Sequence, residues 1–315
     1  MKAVQINAYG GPEVLEVKDI PTPIPKKGQI LVEVHAAGLN PFDRTMRSGI
    51  YKAMIPLQFP STPGGDFAGV VTELVPPAGG GVSDFKVGDE VYGTAIILNG
   101  GSGAYAQFAA ANSANCALKP KTASFEGAAG LPLVGVSAIQ ALEENIQLER
   151  GEKILIHGGA GGIGHVAIQL AKSIGAYVAT TVSTDDKEFV KGLGADEMID
   201  YKSQKFETML KDFDAVFDTA GGETTNKSFQ ILKKGGVLVS MLGQPSEELA
   251  KKHGITALGQ NTQNNAQHLK RLTELVDSGK IKIHVDKVFP LDQVKDAFTH
   301  LETGHPRGKV VLKIK

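Results

Sequence analysis

The fold is decided by residues 153–175, which read KILIHGGAGGIGHVAIQLAKSIG. The first five residues predict a short strand around the apolar run Ile154-Leu155-Ile156, and glycines follow at once. Apolar residues then recur at helical spacing and form one continuous face, at Ile163, Val166, Ala167, Leu170, Ala171 and Ile174. Gly175 is well placed to end that helix. The stretch therefore predicts a strand, a tight glycine turn and an amphipathic helix.

The same alternation of strand and helix continues downstream. Short apolar runs at residues 177–182, 215–217 and 236–240 predict further strands, each followed by enough chain for a helix. Strands joined by helices make a parallel, doubly wound α/β sheet, because each crossover brings the chain back to the same edge. We place this domain at residues 123–263.

The chain before residue 123 has a different rhythm, which is mostly β. Short strands are predicted at residues 30–35, 67–71 and 90–92, and the Gly/Pro-rich stretch 76–81 predicts a turn between them. Such short and evenly punctuated strands favour a partly open barrel.

The last fifty residues return to this β-rich part. Amphipathic helices are predicted around residues 269–276 and 294–301, the second with Asp292 as its N-cap and Gly304 beyond its end. A last strand at 309–314 needs partners, and the β-rich first third is the obvious donor. We therefore predict a discontinuous domain, residues 1–122 and 264–315, with the parallel sheet inserted between its two parts.

Composition excludes several classes of protein. Lys and Arg number 33 and Asp and Glu 34 among 315 residues, a net charge of −1 that argues against nucleic-acid binding through bulk charge. A single cysteine, Cys116, rules out an internal disulfide framework and any cysteine-clustered zinc or iron–sulfur site. The apolar runs in the sequence are all shorter than the about 20 residues that a helix needs to span a bilayer. We expect a cytoplasmic protein with no membrane contact.

The glycine turn carries a ligand-binding pattern. Gly159, Gly161 and Gly164 satisfy G-x-G-x-x-G between a strand and a helix, which is the context that gives this pattern meaning. Gly159 would allow the turn, Gly161 the approach of a pyrophosphate and Gly164 close packing of the helix. Free N–H groups at the helix start would hold the phosphates. The predicted dinucleotide loop is Gly159, Ala160, Gly161, Gly162, Ile163 and Gly164.

The end of the second strand decides between NAD and NADP. An NAD site places an acid about 20 residues past the glycines. Counting from Gly164 arrives instead at Ser183 and Thr184, with Lys187 nearby, and these groups suit a 2′-phosphate. A register error of two would restore an acid at Asp185 or Asp186. NADPH is favoured, and NADH stays open.

Motifs along essentially the whole chain resemble the medium-chain dehydrogenase/reductases, in the zinc-independent quinone oxidoreductase and enone/alkenal reductase branch. The matching segments are residues 37–43, 47–49, 63–70, 131–138, 158–164, 193–196 and 304–313. The resemblance implies a GroES-like catalytic domain around an inserted Rossmann domain. It also implies hydride transfer from NADPH to a quinone, or to the β-carbon of an enone or enal.

The resemblance also assigns the catalytic positions. Where zinc-dependent relatives hold the metal, this chain has Asn40, Gly65 and Leu133, which offer one weak amide where zinc needs at least three donors. We therefore predict no metal. Asn40 is expected beside the nicotinamide and substrate. Thr45 stands where many quinone oxidoreductases carry a tyrosine, so its hydroxyl remains and the aromatic wall is lost, which favours enones or enals.

Further cofactor contacts follow from the resemblance position by position. They are Ser137 near the carboxamide, Tyr201 near the adenosine phosphate, Ala220 and Gly221 after the fourth strand, and Ser240, Met241 and Leu242 after the fifth. Asp43 and Asp66 are interpreted as structural hydrogen-bond acceptors, and His157 as a buried neutral imidazole.

Two alternatives to this function remain open. One is an enoyl-thioester reductase, and the other is an NADPH-binding redox sensor, structural protein or RNA binder without turnover. Residues 255–258 look like a sheet edge, and edges of this kind often pair across a two-fold axis, so we also predict a homodimer.

Overall fold

The computed structural model of the protein describes residues 1–76 and 84–315. The turn predicted at 76–81 lies outside these residues from position 77 onward. The strands, in chain order, are β1 (Lys2–Gln5), β2 (Glu16–Asp19), β3 (Gln29–Gly38), β4 (Asp66–Leu74), β5 (Glu90–Thr94), β6 (Phe108–Asn112), β7 (Cys116–Leu118), β8 (Lys153–His157), β9 (Tyr177–Val182), β10 (Glu197–Asp200), β11 (Phe213–Asp218), β12 (Leu232–Ser240), β13 (Thr256–Gly259), β14 (Val285–Pro290) and β15 (Lys309–Lys313).

The helices alternate with the strands mainly in the second half of the chain. They are α1 (Pro41–Ser48), α2 (Phe125–Ala129), α3 (Pro132–Ile139), α4 (Gly164–Ile174), α5 (Lys187–Gly192), α6 (Phe206–Met209), α7 (Glu223–Ser228), α8 (Glu247–His253), α9 (Ala266–Asp277) and α10 (Val294–Thr303). A π-helical segment, Gln140–Asn145, follows α3. No helix among the described residues is long and apolar enough to cross a membrane.

The chain divides into two compact units. Unit 1 comprises Met1–Leu133, Asn264–Ser278 and Ile283–Lys315, and unit 2 comprises Val134–Gln263 and Gly279–Lys282. The first boundary therefore falls eleven residues after the predicted one at 122/123. The reason is α2, which belongs to unit 1 because it packs against β3 and β4. The main segment of unit 2 ends at Gln263, as predicted, and Gly279–Lys282 adds a short second segment to it that was not predicted.

Unit 2 is built on a six-stranded sheet with the order β10-β9-β8-β11-β12-β13, and all its pairs are parallel. This is the doubly wound order of a Rossmann domain, with the change of direction between β8 and β11. The strands β8 and β9 have the predicted bounds, since a strand buried on both faces reads as an apolar run. Gly175 ends α4 in the left-handed conformation with φ 101°, which glycine adopts without strain.

Unit 1 contains a mixed sheet in the order β14-β15-β3-β4-β5-β7, to which β6 adds by pairing with β3. The last strand, β15, runs antiparallel to β3 and joins the two separated parts of the unit. A core of aliphatic side chains together with Phe67, Phe289 and Phe298 lies between these strands and α10. The predicted discontinuous domain is therefore present.

The start of α10 differs from the prediction. Asp292 does not cap this helix, because residues Leu291–Gln293 form a 3₁₀ turn that leads into it and Gln293 takes the cap position. Gly304 follows the end of the helix, as predicted.

Candidate dinucleotide site and a buried polar cluster

The glycine loop of unit 2 connects the end of β8 to the start of α4. Gly158 takes the left-handed conformation, with φ 71°, and therefore makes the turn that the sequence analysis had given to Gly159. The loop closes on itself, since the Gly161 N–H donates to the Gly158 carbonyl at 3.0 Å. Gly158 lies one residue before the G-x-G-x-x-G pattern, so the pattern alone did not reveal it.

The other glycines differ in what a methyl group would meet. At Gly159 a Cβ would lie 2.1 Å from Thr180 Oγ1, and at Gly164 it would lie 2.2 Å from the Gly158 carbonyl oxygen. These two positions need glycine because protein atoms occupy the space. At Gly161 the nearest atom is the Gly158 oxygen at 3.3 Å, so the protein itself leaves room there. Gly161 is half-buried, as are Gly162 and Ile163, whereas Ala160 is 9% exposed.

The residues predicted to read the ribose lie together at the carboxyl ends of β9 and β10. Ser183 follows the last residue of β9 directly, so the register holds and the two aspartates come later, within a 3₁₀ turn. Lys187 is the first residue of α5 and is half-buried. Tyr201 follows β10, is exposed, and donates its N–H to the Val182 carbonyl at 3.1 Å.

The hydroxyl groups of Ser183 and Thr184 already donate to carboxylates. Ser183 Oγ donates to Asp186 at 2.6 Å, and Thr184 Oγ1 donates to Asp200 at 2.6 Å. The Thr184 hydroxyl, together with the Lys202 N–H, holds the pKa of Asp200 below its usual value. Asp200 was missed by the sequence analysis, because it enters this edge from β10.

The remaining predicted cofactor contacts gather at the ends of β11 and β12. Asp218 Oδ1 accepts the N–H groups of Ala220 at 2.8 Å and Gly221 at 3.0 Å. The Met241 N–H donates to the Asp218 carbonyl at 2.9 Å, and the Leu242 N–H donates to Ser240 Oγ at 3.1 Å. Leu242 is 63% exposed, which leaves its side chain available to a ligand. Asp218 is buried and was not predicted from the sequence. Its hydrogen bonds hold the chain segments that follow β11 and β12.

Ser137 is fully buried within unit 2. Its hydroxyl shares a hydrogen bond with Thr262 Oγ1 at 2.6 Å. Gln260 Nε2 donates to the Ser137 carbonyl at 2.9 Å and contacts Met241 Sδ at 3.5 Å, so Gln260 links this residue to the edge at β12. The structure therefore brings the predicted cofactor residues of unit 2 together at the carboxyl ends of its parallel strands.

His157 ends β8 and is buried, as expected for a neutral imidazole. Its Nδ1 lies 3.0 Å from Thr181 Oγ1, and its Nε2 lies 2.9 Å from Ser228 Oγ. Burial lowers the pKa of His157 to about 4. The side chain is satisfied within the core and holds β8 to its neighbours.

A second polar cluster lies inside unit 1, around Asn40. Asn40 is the N-cap of α1 and is 2% exposed. Its backbone N–H donates to Asp43 Oδ2 at 2.8 Å, and its Nδ2 donates to Asp66 Oδ2 at 2.9 Å. Its Oδ1 accepts from the ammonium group of Lys309, which also donates to the Leu39 carbonyl at 2.6 Å. Lys309 was missed by the sequence analysis.

Burial acts on every charge in this cluster. It raises the pKa of Asp43 to about 6, although the Tyr105 hydroxyl donates to this carboxyl group at 2.7 Å. Burial also raises the pKa of Asp66 and lowers that of Lys309, and the attraction between these two charges opposes both shifts. The cluster is therefore a dry environment in which hydrogen bonds are strong.

Thr45 does not join this cluster. Its hydroxyl donates to the Pro41 carbonyl, one turn earlier in α1, at 3.1 Å. At the positions that correspond to zinc ligands, Gly65 has no side chain and the amide of Asn40 is already engaged on both sides. In the part of the chain that the structure describes, no three His, Cys, Asp or Glu side chains group to hold a metal ion.

Comparison with known proteins places the chain in a family. The family described as "Alcohol dehydrogenase GroES-like domain" matches residues 26–121, and "Zinc-binding dehydrogenase" matches residues 193–312. The NADPH-dependent alkenal/one oxidoreductase of Arabidopsis thaliana chloroplasts is 39% identical, over 99% of this chain and 79% of that protein.

Solved structures agree in fold over the whole length. The quinone oxidoreductase of Coxiella burnetii has a TM-score of 0.89 and 38% identity, with 100% of this chain and 99% of that one covered. The Escherichia coli quinone oxidoreductase in complex with NADPH has a TM-score of 0.88 and 28% identity, with 100% of both chains covered.

A Rossmann sheet with a glycine loop, inserted into a GroES-like domain, defines a two-domain pyridine-nucleotide oxidoreductase. The chain belongs to the medium-chain dehydrogenase/reductase superfamily, in its quinone and enone oxidoreductase branch.

Proposed function

We propose that the protein transfers a hydride from NADPH to quinones or to the β-carbon of α,β-unsaturated carbonyl compounds, without zinc. The observation that carries the proposal is the space at Gly161, where a backbone loop at the start of α4 approaches no side chain. Backbone N–H groups at a helix start bind phosphates well. The alkenal/one oxidoreductase and the NADPH-bound quinone oxidoreductase among the similar proteins support the same cofactor.

The residues at the sheet edge fit NADPH. Gly161 and the start of α4 would hold the pyrophosphate, and Ser183 with Lys187 would hold the 2′-phosphate. Because the Ser183 and Thr184 hydroxyls donate to carboxylates, the ammonium of Lys187 supplies the main attraction for that phosphate. When bound, NADPH supplies the hydride.

The acceptor side of the proposal rests on unit 1. A small cleft in this unit is lined by Met46, Leu57, Pro63, Ile96 and Ile97, with Asp43 and Arg47 as its charged members. An enone or a quinone spreads the incoming charge over its own π-system, so hydride transfer proceeds with a hydrogen-bond donor in place of a Lewis acid. The amide of Asn40 is the proposed donor.

The bonding of Thr45 favours enones and enals within this class. Its hydroxyl is held by its own helix and it presents no ring on which a quinone could stack.

The decisive experiment follows NADPH oxidation by absorbance with a quinone, a 2-alkenal, an enone and a crotonyl thioester, each repeated with NADH. Turnover with the carbonyl acceptors and a preference for NADPH supports the proposal. Turnover confined to the thioester would support the enoyl-thioester reductase. Tight NADPH binding with no turnover for any acceptor would favour a sensor.

We also propose a homodimer formed through the β13 edge of unit 2. The strand is the last in its sheet, which favours pairing with a second copy. Gln244 donates to the Ala257 carbonyl and accepts from the Gly259 N–H, so pairing must displace this side chain. Light scattering after size exclusion should give twice the chain mass, and Ala257→Pro should give the monomer. A monomeric wild-type protein would contradict the proposal.

For location we propose the cytosol, which the single buried cysteine, Cys116, supports because the chain needs no oxidising compartment. Imaging of the tagged full-length protein tests this, and an organellar signal would contradict it.

A further inference from the structure

The amide of Asn40 lies between two buried charges of opposite sign. Lys309, the first residue of β15, donates to its Oδ1, and Asp66, the first residue of β4, accepts from its Nδ2 at 2.9 Å. All three residues are at most 2% exposed. The three side chains belong to three different elements of unit 1, so the arrangement is a product of the fold.

Each charge is itself held by a second hydrogen bond to the backbone. Lys309 Nζ donates to the Leu39 carbonyl at 2.6 Å, and Asp66 Oδ2 accepts the Leu133 N–H at 3.1 Å. The backbone of Asn40 is fixed as well, by its bond to Asp43 at 2.8 Å. These bonds hold Lys309 and Asp66 in place, so neither side chain can shift with the amide of Asn40 when a ligand binds.

These two partners select one orientation of the amide. A rotation by 180° about χ2 would place the NH₂ group against an ammonium and the oxygen against a carboxylate. Two donors would then face each other on one side and two acceptors on the other, and in a buried site such contacts would leave both ends of the amide without a hydrogen bond. An asparagine amide carries two N–H groups, and one of them is used by Asp66.

We propose that Lys309 and Asp66 are positioning residues that lock the amide of Asn40 in one orientation, in which one Nδ2 hydrogen is bound to Asp66 and the second is left for the acceptor. The inference rests on the proposed function for the identity of the acceptor. The ammonium of Lys309 also withdraws electron density from the amide, which makes its N–H groups better donors.

The test is a double-mutant cycle with Asn40→Ala, Lys309→Met and the double variant, measured as kcat and KM with an enone. Lys309→Met keeps the length of the side chain and removes its charge. We expect kcat to fall tenfold or more in either single variant, with the NADPH Kd within twofold of wild type. The double variant should have the kcat of Asn40→Ala within twofold, because Lys309 acts only through the amide.

Lys313→Met on the same strand is the matched control, since this lysine is exposed, and it should keep the wild-type kcat. Losses that multiply in the double variant, or a wild-type kcat in Lys309→Met, would overturn the inference. Asp66→Asn provides a second variant if Lys309→Met does not fold, with the same expectation for its cycle with Asn40→Ala.

A second readout needs neither acceptor nor turnover. In ¹⁵N-labelled protein without cofactor, the side-chain amide pair that Asn40→Ala removes should exchange slowly with solvent. Lys309→Met should shift this pair and speed its exchange at least tenfold, whereas Lys313→Met should leave it unchanged. An unshifted pair in Lys309→Met would refute the lock. If the wild-type protein turns over no acceptor, the proposed function fails while this measurement still decides the lock.

Discussion

Replacing Gly161 by alanine separates ligand affinity from protein stability within a single loop. The nearest atom to the new Cβ would be the Gly158 oxygen at 3.3 Å, a contact that a small shift of the loop relieves. Fewer conformations of the unfolded chain should add about 0.4–1 kcal/mol of stability, which offsets that strain. We therefore expect a melting temperature within about 4 °C of wild type.

Gly159→Ala in the same loop is the matched control for stability. Its Cβ would lie 2.1 Å from Thr180 Oγ1, so the hydroxyl has to leave the bond that it donates to the Ile156 carbonyl at 2.7 Å. Overpacking costs about 1–3 kcal/mol and the buried hydrogen bond about 1 kcal/mol more. For a domain of this size the melting temperature should fall by roughly 5–15 °C.

The affinity for NADPH should change most at Gly161, the position where the stability of the protein should change least. A methyl group at Gly161 occupies the place that the pyrophosphate needs, so the NADPH Kd should rise at least about tenfold, equivalent to about 1.4 kcal/mol. Gly161→Asp, which adds charge as well, should abolish binding. The assay is a titration followed by NADPH fluorescence, which the absence of tryptophan from the sequence keeps clear of protein emission. An unchanged Kd for Gly161→Ala, with its melting temperature preserved, would refute the assignment of the loop.

Three further predictions concern charges. Lys187→Ala should raise the Kd for NADPH about tenfold and leave that for NADH within twofold, because only NADPH carries the 2′-phosphate; equal losses in the two titrations would remove Lys187 from the site. His157 has its pKa lowered to about 4, so the folded protein binds fewer protons than the unfolded chain between about pH 4 and 6.5. Its stability should drop by about 3 kcal/mol as the pH falls through that window, and urea unfolding of His157→Asn at pH 7 and 5 should show a smaller drop than wild type. Arg47 is 2% exposed, pairs with Glu302 at 2.8 Å and stacks on Phe298, so Arg47→Ala should cost about 3 kcal/mol in urea unfolding, with Arg44→Ala as the exposed control.

The sequence predicts the parts of this fold that depend on neighbours along the chain. Strands β8 and β9 are found within their predicted bounds because burial on both faces favours short runs of apolar and β-branched residues. Helix α4 follows from its apolar face and from Gly175 at its end. The discontinuous unit 1 could be anticipated because a final strand without a partner must pair with distant chain.

What escaped prediction depends on contacts between distant residues. The role of Gly159 is set by Thr180 on β9, so it is a packing position, and Gly158 makes the turn. Asp200 and Asp218 organise the sheet edge from strands that the glycine pattern does not include. Lys309 lies 269 residues from Asn40, a separation at which no local pattern could join the two.

The closure of unit 1 by β15 also sets the order in which a nascent chain can mature. Unit 2 lies almost entirely at Val134–Gln263, so its sheet can form while the ribosome still holds the rest. Synthesis from residue 133 to residue 309 takes about 10–35 s at about 5–20 residues per second. During that interval the edge of β3 that β15 will cover stays unpaired, a surface on which chaperones act. The ammonium that fixes Asn40 arrives with β15, so the cluster around Asn40 cannot be completed before this strand has been synthesised.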